Sequence, residues 1–393
     1  MAATYYEVLQ TEFDEMISWR RYLHQNPELS FQETNTSTFI ANQLTSFGLE
    51  VKENVGGNGV VGVIQGAHPG KTIAFRADFD ALPIHDEKNV PYKSTVDGVM
   101  HACGHDGHTA SLLAVAKILS NKCQQLHGKI VFIFQHAEEK PPGGAKFMIE
   151  DGVLDGVDVV FGAHLATEYP IGKIATKPGP VMASVDAFKI TLQGRGGHGA
   201  RPHETIDTIA IGSQLVGHLQ QIVSRRVNPI EPAVVTVGSF HAGNAFNIIA
   251  DSAVLEGTVR AMNAKVRKQI EEEIRSILEG VKVADRIDYS LDYLHGYPVL
   301  VNHKEEAALI EKIVKETVSH DAFIEKDIVL GAEDFAYYLE HRPGAYFYVG
   351  ASNENPNTQY PHHHPRFDFD ERALLHVGHL FLQLADYYLG TKA

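Results

Sequence analysis

The sequence has few of the features that mark secreted or membrane proteins. It contains two cysteines, Cys103 and Cys123, too few for a disulfide framework and in keeping with a reducing compartment. It has no run of 18 apolar residues, so we expect no transmembrane helix. The N-terminus is acidic and lacks the basic and apolar segments of a secretory signal. We therefore expect a cytoplasmic protein without a membrane partner.

Basic residues are also scarce relative to acidic ones. Lys and Arg number 34 against 49 Asp and Glu, giving a formal net charge of −15. This balance argues against a nucleic-acid partner, which requires basic patches. The hydrophobic share of 44% is ordinary for a globular protein. Histidine, with 22 residues, is abundant. Because histidine is the commonest metal ligand, its clustering indicates where chemistry could occur.

The order of periodic segments predicts an α/β fold with a second, inserted domain. Apolar segments with strand composition alternate with helical ones in the first part of the chain, which predicts a mixed sheet flanked by helices. From residue 184 to residue 297 the predicted order is β-α-β-β-α-β, typical of a ferredoxin-like α+β unit. We therefore predict a discontinuous catalytic domain, 1–183 and 298–393, interrupted by an inserted domain, 184–297.

Two segments carry the strongest chemical signals. HACGHDGHT (101–109) places Cys103 and His105 in one turn before a helix, and thiolate and imidazole suit zinc and other transition metals. FQHAEEK (134–140) places Glu138 and Glu139 at a strand end. Successive side chains of an extended chain point in opposite directions, so one carboxylate could bind metal while the other faces an attacking water. A helix-capping turn and a solvated acidic loop are the alternatives.

Four further segments carry weaker signals of the same kind. His164 ends an apolar strand, Asp78 and Asp80 share one face of another, and His198 lies among glycines. HHHPRFDFDE (362–371) begins with three successive histidines. Each could be structural by itself. Together, ligand-type residues on several separate segments indicate a two-metal hydrolytic site, in which two ions activate a water.

The sequence as a whole resembles the amidohydrolase branch of the aminoacylase and carboxypeptidase metallopeptidase family. This branch includes hippurate hydrolases, N-acyl-amino-acid amidohydrolases and auxin-conjugate hydrolases. The motifs that carry the resemblance span nearly the full length and are RYLHQNPELSFQE (21–33), RADFDALPI (76–84), HACGHDGHT (101–109), FQHAEEKPPGGAKFMIEDG (134–152), GRGGHGARPHETID (194–207), NAFNIIAD (244–251) and GAEDFAYY (331–338).

The resemblance implies a two-metal aminopeptidase-like catalytic domain and an inserted domain that acts as a lid and dimerises. It implies two divalent ions per subunit, with Cys103 as the bridging ligand. Zinc and manganese are the expected metals, and cobalt and nickel are possible. The implied ligands are Cys103, His105, Glu139, His164 and His363. His362 and His364 flank His363, which departs from the family pattern and leaves the choice among the three open.

The resemblance also implies roles beyond metal binding. Glu138 matches the general base, Asp80 an aspartate that orients a metal ligand, and His198 a lid histidine that polarises the scissile carbonyl. Asn247 and Arg260 match lid residues that hold the substrate carboxylate. Asp78 stands where related peptidases carry a metal-binding histidine, and we do not expect it to bind metal.

The expected function is metal-dependent hydrolysis of the amide bond of N-acyl amino acids, giving a carboxylic acid and an amino acid. The partners expected are this small-molecule substrate and a second copy of the chain, as a homodimer or higher oligomer. A dipeptidase or carboxypeptidase is the alternative within enzymes. A non-catalytic metal-binding protein is the alternative outside them.

Overall fold

The computed structural model describes residues 4–390, which divide into two compact units. One unit runs to Gly179 and continues over Val301–Asp327 and from Asp334 onward. The other comprises Pro180–Leu300 and Ile328–Glu333. The predicted limits of the inserted domain, 184 and 297, lie within four residues of these boundaries. The sequence did not predict that Ile328–Glu333 would join the inserted unit.

The helices alternate with strands through much of the chain. The α-helices are α1 Tyr5–Gln25, α2 Thr34–Ser46, α3 His105–Ser120, α4 Gly144–Glu150, α5 Thr208–Gln221, α6 Ala264–Asp285, α7 Lys304–Thr317, α8 Phe335–His341 and α9 Ala373–Leu389. A π-helical turn, Ile222–Arg226, follows α5.

The strands are β1 Glu50–Val55, β2 Gly59–Gln65, β3 His68–Asp78, β4 His127–Gln135, β5 Val159–Pro170, β6 Ile174–Thr176, β7 Gly179–Met182, β8 Ser184–Gln193, β9 Gly197–His198, β10 Ala233–Ala242, β11 Ile248–Ile249, β12 Ser252–Ala261, β13 Asp288–His295, β14 Leu300–Asn302, β15 Phe323–Glu325 and β16 Gly344–Ser352.

The first unit is built on an eight-stranded mixed sheet in the order β1-β2-β4-β3-β5-β16-β6-β15. Strands β4, β3, β5 and β16 are parallel neighbours at its centre. The side chains of β4 and β16 are buried almost throughout, as is the second half of β3, and this is expected for parallel strands covered on both faces. Helices α1, α3 and α9 pack with them around a core that includes Phe75, Phe132 and Phe381. The predicted α/β fold is confirmed.

Parallel central strands bring their carboxyl ends to one edge of the sheet, where α/β proteins place ligands. Asp78 ends β3, and the segment with Glu138 and Glu139 follows β4 directly. His164 was expected at a strand end, but β5 continues to Pro170, so His164 lies inside the strand, opposite Tyr348 of β16.

The second unit contains a four-stranded antiparallel sheet in the order β10-β12-β8-β13. In chain order these are the second, third, first and fourth strands of this sheet, and helices α5 and α6 complete a ferredoxin-like βαββαβ fold. The apolar side of α6, including Ile270, Ile274 and Leu278, packs into the core of this unit. The predicted α+β insertion is confirmed.

Strand β1 was not predicted from the sequence. Strand β1 has the polar sequence EVKENV and is mostly exposed, so it lacks the apolar alternation that reveals a strand. It is held by antiparallel pairing with β2.

Within residues 4–390, no helix is long and apolar enough to cross a membrane.

Candidate active site

Cys103 lies at the meeting point of two groups of metal-ligating side chains. It sits in the turn before α3, which begins at His105, and Gly104 between them has a φ of 92°, a value that favours glycine. One group combines Cys103 with His105 and Glu139, and the other combines it with His164 and His362. Within each group the ligand atoms lie within 4.8 Å of one another. A shared thiolate between two groups is the arrangement expected of a bridging ligand.

In the first group, one ring nitrogen of His105 is hydrogen-bonded, and two other ligand atoms are not. The Nδ1–H of His105 donates to the backbone oxygen of Asp80 at 2.9 Å and lies 3.2 Å from its carboxylate. The Nε2 of His105 and the Oε1 of Glu139 are buried, 3.9 Å apart, and have no hydrogen-bond partner in the described part of the chain. Buried polar atoms are normally paired. These residues therefore fit a divalent cation.

The electrostatic surroundings also favour a cation. Burial lowers the pKa of His105, but the carboxylates of Asp78, Asp80 and Glu139 outweigh burial and raise it to about 10. Burial, together with Glu139, raises the pKa of the Cys103 thiol well above its ordinary value. Because metals bind the deprotonated forms of these groups, metal binding is accompanied by proton release.

The second group is built around His164. Its Nδ1–H donates to the backbone oxygen of Leu165 at 2.7 Å, and its Nε2 lies 3.5 Å from the Sγ of Cys103. Burial lowers the pKa of His164 well below its ordinary value, so the ring is a neutral imidazole. Burial also lowers the pKa of His362, to about 4, although Glu168 opposes this shift. Neutral imidazoles are the ligand form of histidine.

The structure separates the three successive histidines. His362 belongs to the group with Cys103 and His164. The Nε2 of His363 lies 3.3 Å from the Oε1 of Glu139, so His363 adjoins the other group and stays a predicted ligand. His364 is engaged elsewhere, because its Nδ1 accepts the backbone N–H of Arg366 at 3.0 Å.

Asp78 and His108 form a third candidate group with His105, but their atoms are already used. The Nδ1 of His108 lies 2.6 Å from Asp78, and its Nε2 accepts the backbone N–H of Leu165 at 2.9 Å. Arg76 also donates to Asp78. These hydrogen bonds connect the end of β3 to the start of α3, and that Asp78 does not bind metal stays a prediction.

Glu138 follows a residue in an uncommon backbone conformation. Ala137 has a φ of 54°, in the left-handed region that non-glycine residues rarely adopt. Its N–H donates to Glu33 at 2.8 Å, and its carbonyl accepts the N–H of Gly144 at 3.1 Å. These bonds hold the turn that presents Glu138, which is 7% exposed, and Glu139. Sequence reasoning quoted the segment 21–33 but assigned Glu33 no role.

Glu33→Gln tests the cost of keeping this carboxyl group buried. Burial raises the pKa of Glu33 from 4.5 to about 7. Between pH 4.5 and about pH 7, Glu33 is protonated in the folded protein but ionised in the unfolded chain. The free energy of unfolding therefore falls as the pH rises through this range. At 1.36 kcal/mol per pH unit, the loss is about 3 kcal/mol. Glutamine does not ionise, so the variant does not undergo this loss. We therefore expect the free energy of unfolding of Glu33→Gln, compared with that of wild type, to be more favourable at about pH 8 than at about pH 5.

The measurement is denaturant unfolding of both proteins at the two pH values. Glu53→Gln is the matched control because Glu53 is exposed. A stability difference between wild type and Glu33→Gln that does not change with pH would contradict the raised pKa.

Asp80→Asn tests the orientation of His105. Asp80 accepts from Ser30 at 2.6 Å and from the backbone N–H of Glu139 at 3.0 Å, in addition to its contact with His105. Removal of such a partner costs about 10–100-fold in metal affinity, and we expect a loss of this size by chelator competition. Asp97→Asn, at an exposed carboxylate, should leave affinity unchanged. Equal affinities for the two variants would refute the orienting role.

A buried ion network that sequence reasoning missed supports the start of α3. Arg20 of α1 donates to Asp106 at 2.9 Å and to Asp368 at 2.8 Å, and the Nδ1 of His24 lies 2.7 Å from Asp106. Asp106 follows His105, and Asp368 follows the triple histidine. The network therefore ties α1 to both segments that carry ligands. Of this network, the motif RYLHQNPELSFQE (21–33) contains only His24, and Arg20 immediately precedes it.

The other predicted site residues belong to the inserted unit. Strand β9, with His198, pairs with β11, and the N–H of Gly199 donates to the backbone oxygen of Asn247 at 2.9 Å. His198 and Asn247 are therefore neighbours and both are exposed. Arg260 pairs with Val185 near the C-terminal end of β12, whereas Asn247 precedes the N-terminal end of that strand. The structure therefore does not bring Arg260 to His198 within this unit. Burial lowers the pKa of Arg260.

The sequence matches a known protein family over most of its length. The model of peptidase family M20/M25/M40 matches residues 74–386. The chain belongs to this family. A Bacillus subtilis protein named for a proposed amidohydrolase activity is 52% identical over 363 residues, 92% of each chain. This chain is therefore a hydrolase that acts on amide bonds.

Other relatives differ in the activity for which they are named. An N-acyl-L-amino acid amidohydrolase of Geobacillus stearothermophilus is 46% identical over 291 residues, 74% of this chain and 79% of that one. Thermostable carboxypeptidase 2 of Saccharolobus solfataricus is 43% identical over 375 residues, 94% of this chain and 95% of that one. The solved structure of a Bacillus subtilis protein, described as a dinuclear metal binding peptidase of family M20, superposes with a TM-score of 0.83 at 35% identity, covering 98% of this chain and 100% of that one.

Proposed function

We propose that this M20 hydrolase cleaves the amide bond of N-acyl amino acids, releasing a carboxylic acid and an amino acid. The observation that carries the proposal is the pair of ligand groups that share Cys103, together with the buried Glu138, which precedes Glu139 in the chain. A buried carboxylate next to a two-metal centre suits general-base activation of a water. The relative named as an N-acyl-L-amino acid amidohydrolase supports the choice of substrate.

In this proposal Glu138 takes a proton from the attacking water and returns it to the leaving amine. The two metal ions, when bound by Cys103 and its partners, lower the pKa of water and polarise the carbonyl. Glu33 and Gly144 keep the turn at Ala137 fixed, so Glu138 meets the water without rearrangement. Preorganisation of this kind avoids a conformational cost during the reaction.

His198 is proposed to polarise the scissile carbonyl, on the strength of the family resemblance. Its Nδ1 accepts the backbone N–H of Ala200 at 3.0 Å, so the neutral ring carries its proton on Nε2. An exposed Nε2–H is a donor suited to a developing oxyanion. Asn247 and Arg260 are proposed to hold the substrate carboxylate, and this assignment rests on the resemblance alone.

Peptidase activity is the second candidate, because a relative 43% identical to the chain is named as a carboxypeptidase. Both kinds of substrate have an amide next to a free carboxylate. They differ in the acyl part of the molecule, on the carbonyl side of the amide that is cleaved. An N-acyl substrate has no free α-amino group there, whereas a dipeptide has one.

Metal identity, assembly and location are further parts of the proposal. A thiolate, imidazoles and a carboxylate accept zinc, manganese, cobalt or nickel, and availability in the cell often decides among them. We propose zinc or manganese as the metal and a cytoplasmic location, which the small number of cysteines supports. We also propose a homodimer or higher homo-oligomer, which the family resemblance supports.

The test is hydrolysis by metal-stripped protein reconstituted separately with zinc, manganese, cobalt or nickel. Each form is given N-acetyl and N-benzoyl amino acids and the matching dipeptides. We expect metal-dependent release of amino acid from the acylated substrates. Cleavage of dipeptides alone would show that the protein is a peptidase and would contradict the proposed amidohydrolase activity. Absence of hydrolysis with two metals bound would contradict both.

A further inference from the structure

The triple histidine of this chain offers more ligands than the single histidine that the family pattern requires. His362, His363 and His364 are consecutive, yet their side chains have three different environments. Part of the reason lies in the backbone. His363 has a φ of 64°, and its N–H donates to the backbone oxygen of Ala102 at 2.8 Å. This bond fixes the triple histidine beside Cys103.

We propose that His362 is an additional metal ligand, which completes the position formed by Cys103 and His164, while His363 serves the position of His105 and Glu139. Each metal position would then receive one histidine of the triplet, and Cys103 would join them. This inference rests on the proposed two-metal hydrolase, but it concerns metal binding and can be tested without a substrate.

The contacts of His362 leave one ring nitrogen for a ligand role. Its Nε2 lies 4.0 Å from the Oε2 of Glu168. Its Nδ1 is buried and has no hydrogen-bond partner among residues 4–390. The ring centroid is 5.0 Å from that of His164 and 4.9 Å from that of Phe367, so the ring packs between the ligand group and the core.

Glu168 gives His362 the kind of support that metal-bound histidines have. The Oε1 of Glu168 accepts from Lys326 at 3.0 Å, and Lys326, only 3% exposed, lies over the ring of Tyr348 at 4.3 Å. Ligating histidines commonly face a carboxylate with the nitrogen that does not bind metal. Glu168 occupies that position relative to Nε2.

His364 supplies the internal control. It belongs to the same triplet, but its Nδ1 is occupied by the N–H of Arg366, and its ring stacks on Tyr360 with centroids 4.5 Å apart. If the histidines acted only through local charge or loop conformation, loss of His364 would have effects similar to loss of His362.

The experiment is equilibrium titration of the metal-stripped full chain with zinc and with manganese against a chelating indicator. We expect two sites in wild type and in His364→Ala. In His362→Ala and His362→Gln, one site should weaken by more than the roughly 10–100-fold that loss of a supporting residue costs, while the other is retained. Circular dichroism in excess chelator checks that each variant is folded.

Double variants identify which position is affected. His362→Ala should add little to His164→Ala, because both belong to one position, and should add fully to Glu139→Gln. Two wild-type sites in both His362 variants would overturn the inference, as would additivity with His164→Ala. Loss of one site in a protein that hydrolyses no amide would refute the proposed function and leave this inference standing.

Discussion

Glu138→Gln is expected to lower kcat by about 10²–10⁴-fold, the usual contribution of a general base, with both metals still bound. Glutamine keeps the size of the side chain but cannot take a proton from water. At 1.36 kcal/mol per decade, the loss corresponds to a barrier increase of about 3–5 kcal/mol. The measurement combines kcat on an N-acyl amino acid with metal content by elemental analysis.

The neighbouring residue provides the control. Glu139→Gln should lose metal from the position it shares with His105 and Cys103, so its activity should recover in part at high metal concentration. Glu138→Gln should not recover, because its metal sites are intact. Near-full activity of Glu138→Gln, or loss of its metal, would show that the roles of the two glutamates were assigned wrongly.

Cys103→Ser is expected to have the largest effect on metal content. Cys103 is the member common to both ligand groups, and a serine hydroxyl is a poor ligand at neutral pH because it stays protonated. We expect the loss of at least one ion per chain, and a fall in kcat at least as great as that of Glu138→Gln. Metal content and activity of the purified variant test this.

Cys123→Ser is the matched control, since Cys123 lies outside both groups and is partly exposed. It should keep two ions and wild-type activity. Alkylation of metal-stripped protein should likewise inactivate through Cys103 alone, with the modified residue mapped by mass spectrometry. Full activity of a protein completely alkylated at Cys103 would exclude a thiolate ligand.

The sequence predicted the fold because its periodic segments are long and its insertion has a distinct order. The mixed sheet and the ferredoxin-like unit both followed from this. The sequence did not predict β1 or the return of Ile328–Glu333 to the inserted unit. A polar edge strand has no apolar alternation, and the return of a short segment depends on tertiary contacts.

Prediction of the site was limited by what a linear motif contains. Cys103, His105, Glu139 and His164 lie in the two ligand groups, as their residue types suggested. The distinct environments of His362 and His363 depend on one left-handed residue and one bond to Ala102, neither of which is visible in a run of histidines.

Supporting residues were the hardest to recognise. Glu33 is about 100 residues from Ala137 in the chain, and its role depends on a backbone N–H, which carries no sequence signal. Arg20 and Asp106 are likewise joined only by folding. A buried charge is stable only when it is paired, but a sequence shows neither the burial nor the pairing.

In the proposed site, Cys103 joins two metal positions. The most direct measurement is anomalous diffraction from crystals of the full chain soaked with zinc or manganese. Two peaks are expected, both in contact with the Sγ of Cys103. One should also lie beside His105 and Glu139, and the other beside His164. A single peak, or two peaks of which neither touches Cys103, would contradict this arrangement.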